Sequence, residues 1–330
     1  GINEVFTDSD STHVFDSLVA GIYYLVYNDE NSCTGYGQRT LIQPEPLILA
    51  EDSVSLYFNR YNISCNGLSD GSILLQNITG GHDYEDYSYF WQVLEGTGSV
   101  DVNARNQSGL VKGLYTVEIR DTAGCSIADT FDLIQPDAIM LDYDIPLAPD
   151  GIHNLNCFGD TTGYIQVNAT GGDTIDNPYS YNWGHGPVSK DISLLSAGRY
   201  YLTVTDGINC NKMDTIKLKE PEALTIDSFL VSDYNSFGVS CYDSLNGFIR
   251  VYTSGGSGTH DFEWLLDGNP TSYNSNILSN LSSGVYDLTV LDTNGCNLNW
   301  SDTLKRPSAM SLSLSTRFID CSGEIFGSIA

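Results

Sequence analysis

Four times in 330 residues the chain returns to one thirteen-residue frame. It reads GIYYLVYNDENSC from Gly21, GLYTVEIRDTAGC from Gly113, GRYYLTVTDGINC from Gly198 and GVYDLTVLDTNGC from Gly284. Gly stands first, Tyr third, Asp ninth and Cys thirteenth in every copy. In the second copy Tyr115, Val117 and Ile119 alternate with their neighbours, the period of a strand that buries one face. Each frame therefore reads as a strand, a tight turn and a cysteine. The copies are 92, 85 and 86 residues apart. That step is too long for ankyrin-like or leucine-rich solenoids and suits a row of small sandwiches, each closing its own core.

A second frame precedes each of the last three copies: CNGLSDGSILLQNITGG from Cys65, CFGDTTGYIQVNATGG from Cys157 and CYDSLNGFIRVYTSGG from Cys241, with a truncated start at Cys321. Gly follows each cysteine by six residues and Ile follows that Gly by two, so a turn leads into an alternating strand that ends at Gly-Gly. Next comes an aromatic pair one residue apart (Tyr89 and Trp91, Tyr181 and Trp183, Phe262 and Trp264), on one face of a third strand. Leu-x-x-Gly-x-Tyr follows after a stretch of variable length. A Trp on a central strand and a Tyr at the start of a later one mark immunoglobulin-like sandwiches. Pro44, Pro136, Pro221 and Pro307 each lie eleven residues past a closing cysteine and end a last strand. The expected fold is all-β: tandem immunoglobulin-like antiparallel β-sandwich repeats of 85 to 92 residues, end to end. Residues 1–45 are the end of one repeat, 46–136, 137–221 and 222–307 are complete repeats, and 308–330 begin another. The chain thus reads as a piece of something longer.

At this point the motifs carry a resemblance. The Cys-x5-Gly-x-Ile opening, Gly-Gly, aromatic-x-Trp, Leu-x-x-Gly-x-Tyr and Asp-x-x-Gly-Cys with its later Pro resemble the SprB-type repeats of Bacteroidota gliding-motility adhesins and related giant cell-surface proteins. Asn31-Ser32 and Ile208-Asn209 depart from the usual x-Gly before the closing cysteine. The resemblance implies a structural, adhesive role at the bacterial cell surface, in gliding motility or surface attachment. The alternative is a carbohydrate-binding array on a secreted polysaccharide-degrading protein. The expected partners are surface polysaccharide, other cell-surface proteins or copies of the chain itself.

Charge narrows the partners further. Against 42 Asp and Glu stand 14 Lys and Arg, a formal net charge of −28, which repels phosphate backbones and anionic bilayers. Nucleic acid and direct membrane insertion are therefore not expected. No cofactor is required. The acids make structural calcium a candidate ligand, with Asp142, Asp144 and Asp150 near one repeat junction, although no EF-hand motif supports them.

Eight cysteines, four opening and four closing, read as an extracellular disulfide framework rather than a zinc site, for there is no Cys-x2-Cys pair. Two pairings fit. Within repeats, Cys65 joins Cys125, Cys157 joins Cys210 and Cys241 joins Cys296, leaving Cys33 and Cys321 unpaired. Alternatively, each closing cysteine joins the next opening one, at separations of 32, 32, 31 and 25 residues. The first is favoured, because one strand between Trp183 and Gly198 would bring the Tyr200 strand back to the end where Cys157 sits.

The chain is not expected to be an enzyme. His13, His82, His153, His185 and His260 occupy unrelated positions of the repeat, and no Gly-x-Ser-x-Gly or His-Glu-x-x-His occurs. Function belongs instead in the loops, where Tyr84 and Tyr87 are candidates to stack on sugar rings. Finally, Asp followed by Ser or Thr and a small or aliphatic residue resembles the O-glycan acceptor pattern of exported Bacteroidota proteins. It occurs nine times, at Ser11, Ser17, Ser53, Thr122, Thr161, Thr174, Thr215, Ser244 and Thr303.

Overall fold

The computed structural model describes residues 14–82 and 86–314. The chain divides into two compact units, residues 1–138 and 139–330. In the first, β1 (Gly21–Asn28) and β2 (Thr34–Leu41) form an antiparallel hairpin. Six strands follow: β3 (Ile48–Val54), β4 (Gly71–Thr79), β5 (Ser88–Gly96), β6 (Gln107–Leu110), β7 (Gly113–Arg120) and β8 (Ser126–Leu133). They form two antiparallel three-stranded sheets, in the orders β3-β4-β6 and β5-β7-β8. Splitting successive strands between two sheets in this way gives the immunoglobulin-like sandwich.

The second unit holds the same arrangement twice. Strands β9 (Asp137–Asp144), β10 (Gly163–Gly172) and β12 (Ile192–Leu195) form one sheet, and β11 (Ser180–Trp183), β13 (Gly198–Thr205) and β14 (Asn211–Leu218) the other. After them β15 (Glu222–Val231), β16 (Gly247–Gly256) and β19 (Ile277–Leu281) form a sheet beside β17 (Asp261–Leu266), β18 (Asn269–Pro270), β20 (Gly284–Leu291) and β21 (Asn297–Leu304). The fold is all-β, with the strands that the two frames predict.

The frame residues build the cores. Trp91 lies on β5 opposite Val117 of β7 and packs with Ile73, Leu75, Tyr115 and Leu133. Trp264 holds the same place opposite Leu288, among Ile249, Leu278 and Tyr286. Each buried indole finds a carbonyl: Trp91 Nε1 donates to Ala104 O at 2.8 Å, Trp183 Nε1 to Ser189 O at 3.0 Å and Trp264 Nε1 to Ser275 O at 3.0 Å. Burying an aromatic of this size is affordable only when its polar atom keeps a partner. The frame tyrosines make a tyrosine corner in all four copies. Tyr23, Tyr115, Tyr200 and Tyr286 each donate their hydroxyl to the carbonyl four residues upstream, at 2.5 to 3.1 Å.

Strand direction decides which cysteines meet. Asp206, just past the end of β13, bonds the residue that follows β10, so β10 and β13 end together. Since β12 is antiparallel to β10 and β11 to β13, β11 and β12 run in the same direction. Residues 184–191 must therefore carry the chain back along the sandwich before β12 begins. That irregular return segment adds one reversal. Cys157, before β10, and Cys210, after β13, consequently lie at opposite ends of a ten-residue strand, roughly 30 Å apart.

Candidate functional site: a stapled junction

The closing turn is built around the frame aspartate. In Asp292, Oδ1 accepts the backbone N–H of Asn294 and of Cys296, both at 2.9 Å, and Oδ2 accepts that of Ser257 at 2.8 Å. Asp121 and Asp206 repeat the pattern, Oδ1 on Cys125 and Cys210 and Oδ2 on His82 and Asp173. One carboxylate thus ties the closing turn to the Gly-Gly that ends a strand in the facing sheet. The N–H of His82, followed by other donors of the turn, holds the Asp121 carboxyl below its ordinary pKa. The second Gly of each pair is needed here. Gly256 has φ +62°, and a Cβ on it would sit 2.7 Å from Asp292 Oδ2.

Each sandwich has two distinct ends. Glu222, which opens β15, pairs with Gly256 at the closing-turn end, so the chain enters this sandwich beside Asp292 and Cys296. It leaves at the opening-turn end. There the N–H groups of Gly238 and Val239 donate to Lys305 O, and in the preceding sandwich those of Asn154 and Leu155 donate to Lys219 O. Passing from β14 to β15 therefore brings the opening turn of one repeat against the closing turn of the next. Cys157 and Cys296 are bonded across that junction, with Cα atoms 5.6 Å apart over a sequence separation of 139 residues.

This overturns the within-repeat pairing. Cys125 and Cys241 are exposed free thiols, as is Cys33, so neither Cys65 with Cys125 nor Cys241 with Cys296 forms. Cys157 is taken by Cys296 rather than Cys210. The pairing of each closing cysteine with the next opening one fails with it. The physical cause is the return segment, since a disulfide needs Cα atoms within about 7 Å and the two ends of a sandwich are far beyond that. Cys321 lies outside the described residues.

Hydrogen bonds reinforce the bond. Asp150, on the loop before Cys157, donates its backbone N–H to Asn294 Oδ1 at 2.9 Å. Its Oδ2 accepts from Ser257 Oγ at 2.7 Å and Asn294 Nδ2 at 3.2 Å, and lies 2.6 Å from His153 Nδ1. Asn294 Nδ2 also reaches Asn156 O at 3.0 Å. Burial opposes the charge on Asp150, but the donors from His153, Ile152 and Ser257 outweigh it and hold the carboxyl far below the ordinary carboxylate range. With a folded-state pKa below the unfolded value of about 3.9, this group stabilises the junction above that pH and loses its contribution as pH falls further. Thermal unfolding of Asp150→Asn beside the parent chain checks this. The penalty of the substitution should be full at pH 5 to 7 and shrink steadily below pH 4, and a pH-independent penalty would refute the role.

The other predicted residues are dispersed. Asp142 and Asp144 are exposed on β9, apart from the hydrogen-bonded Asp150, and among the described residues no group of three or more His, Cys, Asp and Glu could hold a metal ion. Tyr87 donates its hydroxyl to Gly80 O at 3.0 Å and packs against the core, so it is half-buried structure; Tyr84 lies outside the described residues. Of the glycan candidates, Ser17, Thr122, Thr161, Thr174, Thr215 and Thr303 are exposed, Ser53 and Ser244 are half-buried, and Ser11 lies outside the described residues. The junction residues Ser257 and Asn294 carry no repeat-wide signal, because His82 and Asp173 stand where Ser257 does and Ala123 and Ile208 where Asn294 does.

No curated protein matches the chain. Among solved structures it is similar to the three N-terminal domains of the bacteriophage RB49 Highly Immunogenic Outer Capsid protein: 12% identity over 79% of this chain and 97% of that one, TM-score 0.34. It is also similar to a Ca2+-stabilized adhesin of an Antarctic bacterium, at 11% identity over 86% and 80%, TM-score 0.31. Immunoglobulin domains 1-5 of Sidekick-1 are similar at 14% identity over 87% and 66%, TM-score 0.30. The family model of the SprB repeat matches residues 152–187, which run from the opening turn at Cys157 through the aromatic pair, so the chain carries the repeat type that its motifs resemble.

Proposed function

We propose that this chain is a segment of an adhesive cell-surface filament, with sandwiches 46–136, 137–221 and 222–307 as its modules, and that it acts mechanically rather than as an enzyme. The observation that carries this reading is the covalent junction between Cys157 and Cys296 inside a chain holding a SprB repeat. A bond between neighbouring modules stiffens the row and passes tension from one sandwich to the next. Disulfides also belong to an oxidising, extracellular setting. Among the described residues no helix is long and apolar enough to cross a membrane. Polysaccharide, other surface proteins or further filaments are the partners, at the loops. Exposed acceptors such as Thr122 and Thr161 carry O-glycans, and gliding motility is one setting for such a filament.

Antibody against residues 137–307 tests it on intact and permeabilised source cells, together with attachment of cells whose gene lacks this segment. Labelling of intact cells and reduced attachment are expected. Labelling only after permeabilisation, or unchanged attachment, overturns the reading.

A further inference from the structure

Cys241 and Cys125 occupy the two positions that are joined at the junction between Cys157 and Cys296, yet both are free and exposed. The opening turn is the same in each case. Asp160 N–H donates to Cys157 O at 3.2 Å and Ser244 N–H to Cys241 O at 3.1 Å, and both turns lie where the chain leaves its sandwich. The closing turn is the same too. Asp292 N–H donates to Cys296 O at 3.0 Å and Asp121 N–H to Cys125 O at 3.0 Å, both where the chain enters. Gly81 N–H, beside the Asp121 turn, donates to Glu45 O on the segment that leads into β3 at 2.8 Å. At this position the bonded Cys296 is buried, whereas Cys125 is exposed.

We propose that Cys241 is an open half of the junction, a docking site for the closing turn of a further repeat of this same kind placed after Pro307, whose thirteenth-frame cysteine bonds it. Cys125 is the complementary half, for the opening cysteine of a repeat placed ahead of it. Within the second unit the opening cysteine of repeat 137–221 bonds the closing cysteine of repeat 222–307, and a repeat added after Pro307 should extend the same rule. Topology sets the rule, because the exit of one sandwich and the entrance of the next meet at those two turns. The bond forms by exchange with an external small-molecule disulfide such as oxidised glutathione. One cysteine thiolate displaces half of it as a free thiol, and the second thiolate then displaces the other half. Two protein thiols lose two electrons and two protons, and the small disulfide leaves as two thiols.

The test uses the full chain with one extra copy of residues 222–307 inserted after Pro307. The inserted copy carries Cys241→Ser, which leaves a single Cys241, and Thr303→Ser as a mass tag on the peptide holding its Cys296. After refolding in glutathione buffer and non-reducing peptide mapping, Cys241 should be recovered linked to the tagged peptide, with Cys157 still linked to the untagged one. In the parent chain Cys241 should be fully alkylated without reductant, and that alkylated peptide should be lost on insertion and return when the inserted Cys296 is also changed to Ser. A second chain with residues 137–221 inserted at the same place keeps the result decisive if the first insert does not fold, for Cys241 must then bond the inserted Cys210. Cys241 linked to the untagged Cys296, or still alkylated in both inserted chains, overturns the proposal. The outcome is independent of what the filament binds, so it stands or falls apart from the adhesive reading.

Discussion

Stretched from end to end, residues 137–307 should lengthen far less when oxidised than when reduced. With Cys210 and Cys241 changed to Ser, the bond between Cys157 and Cys296 is the sole crosslink in that segment. It shunts force past everything between those two residues, a separation of 139 residues. Only the residues before Cys157 and after Cys296 can then be pulled straight. At about 3.3 to 3.6 Å per extended residue, the hidden contour is roughly 460 to 500 Å. Single-molecule force spectroscopy should therefore show short unfolding steps under oxidising conditions and gain that length on adding reductant or on Cys157→Ser. Equal total extension in both conditions would mean that the bond does not carry the load. The same loop closure predicts a thermodynamic effect, since a crosslink over this many residues restricts the unfolded chain by an amount worth about 5 kcal/mol in the chain-entropy model.

Asp292→Ala should be strongly destabilising in the second unit. It strands the N–H groups of Ser257, Asn294 and Cys296, all in residues less than one-tenth exposed. Each unsatisfied buried donor costs about 1 to 3 kcal/mol, so the loss is about 3 kcal/mol or more. For a cooperative unit of this size that lowers Tm by roughly 6 to 12 °C. The side effect is informative, because Ser257 and Asn294 also hold Asp150, and the junction loosens with the turn. Asp29→Ala is the internal control. It occupies the same frame position and bonds Asn31 and Cys33, but on an exposed hairpin where solvent can replace those bonds. Differential scanning calorimetry should show a large shift for the first and less than about 1 kcal/mol for the second. Similar shifts for both would sink the argument.

The difference between those two aspartates shows where sequence reading stops. Periodicity and spacing alone determine the strands, the core Trp and Tyr and the Gly turns, because alternation and turn chemistry are local properties and recur wherever the frame recurs. The frame aspartate is equally visible, yet its role is not, since its Oδ2 partner lies about 35 to 40 residues away across the sandwich, at Ser257 for Asp292 and His82 for Asp121. The cysteine pairing is hidden for a stronger reason. Counting strands between Trp183 and Gly198 suggests one reversal, while the irregular segment 184–191 supplies another and moves Cys210 to the far end from Cys157. A segment without periodicity leaves no signal of its direction. Whether Asp150, His153, Ser257 and Asn294 meet is likewise decided only by how two consecutive sandwiches abut, and no single repeat contains that information. The strands and cores of each repeat are legible in its own residues, because they are closed by contacts within its own frame. The bond between Cys157 and Cys296 is not legible there, because that junction is made of the ends at which the chain leaves one sandwich and enters the next.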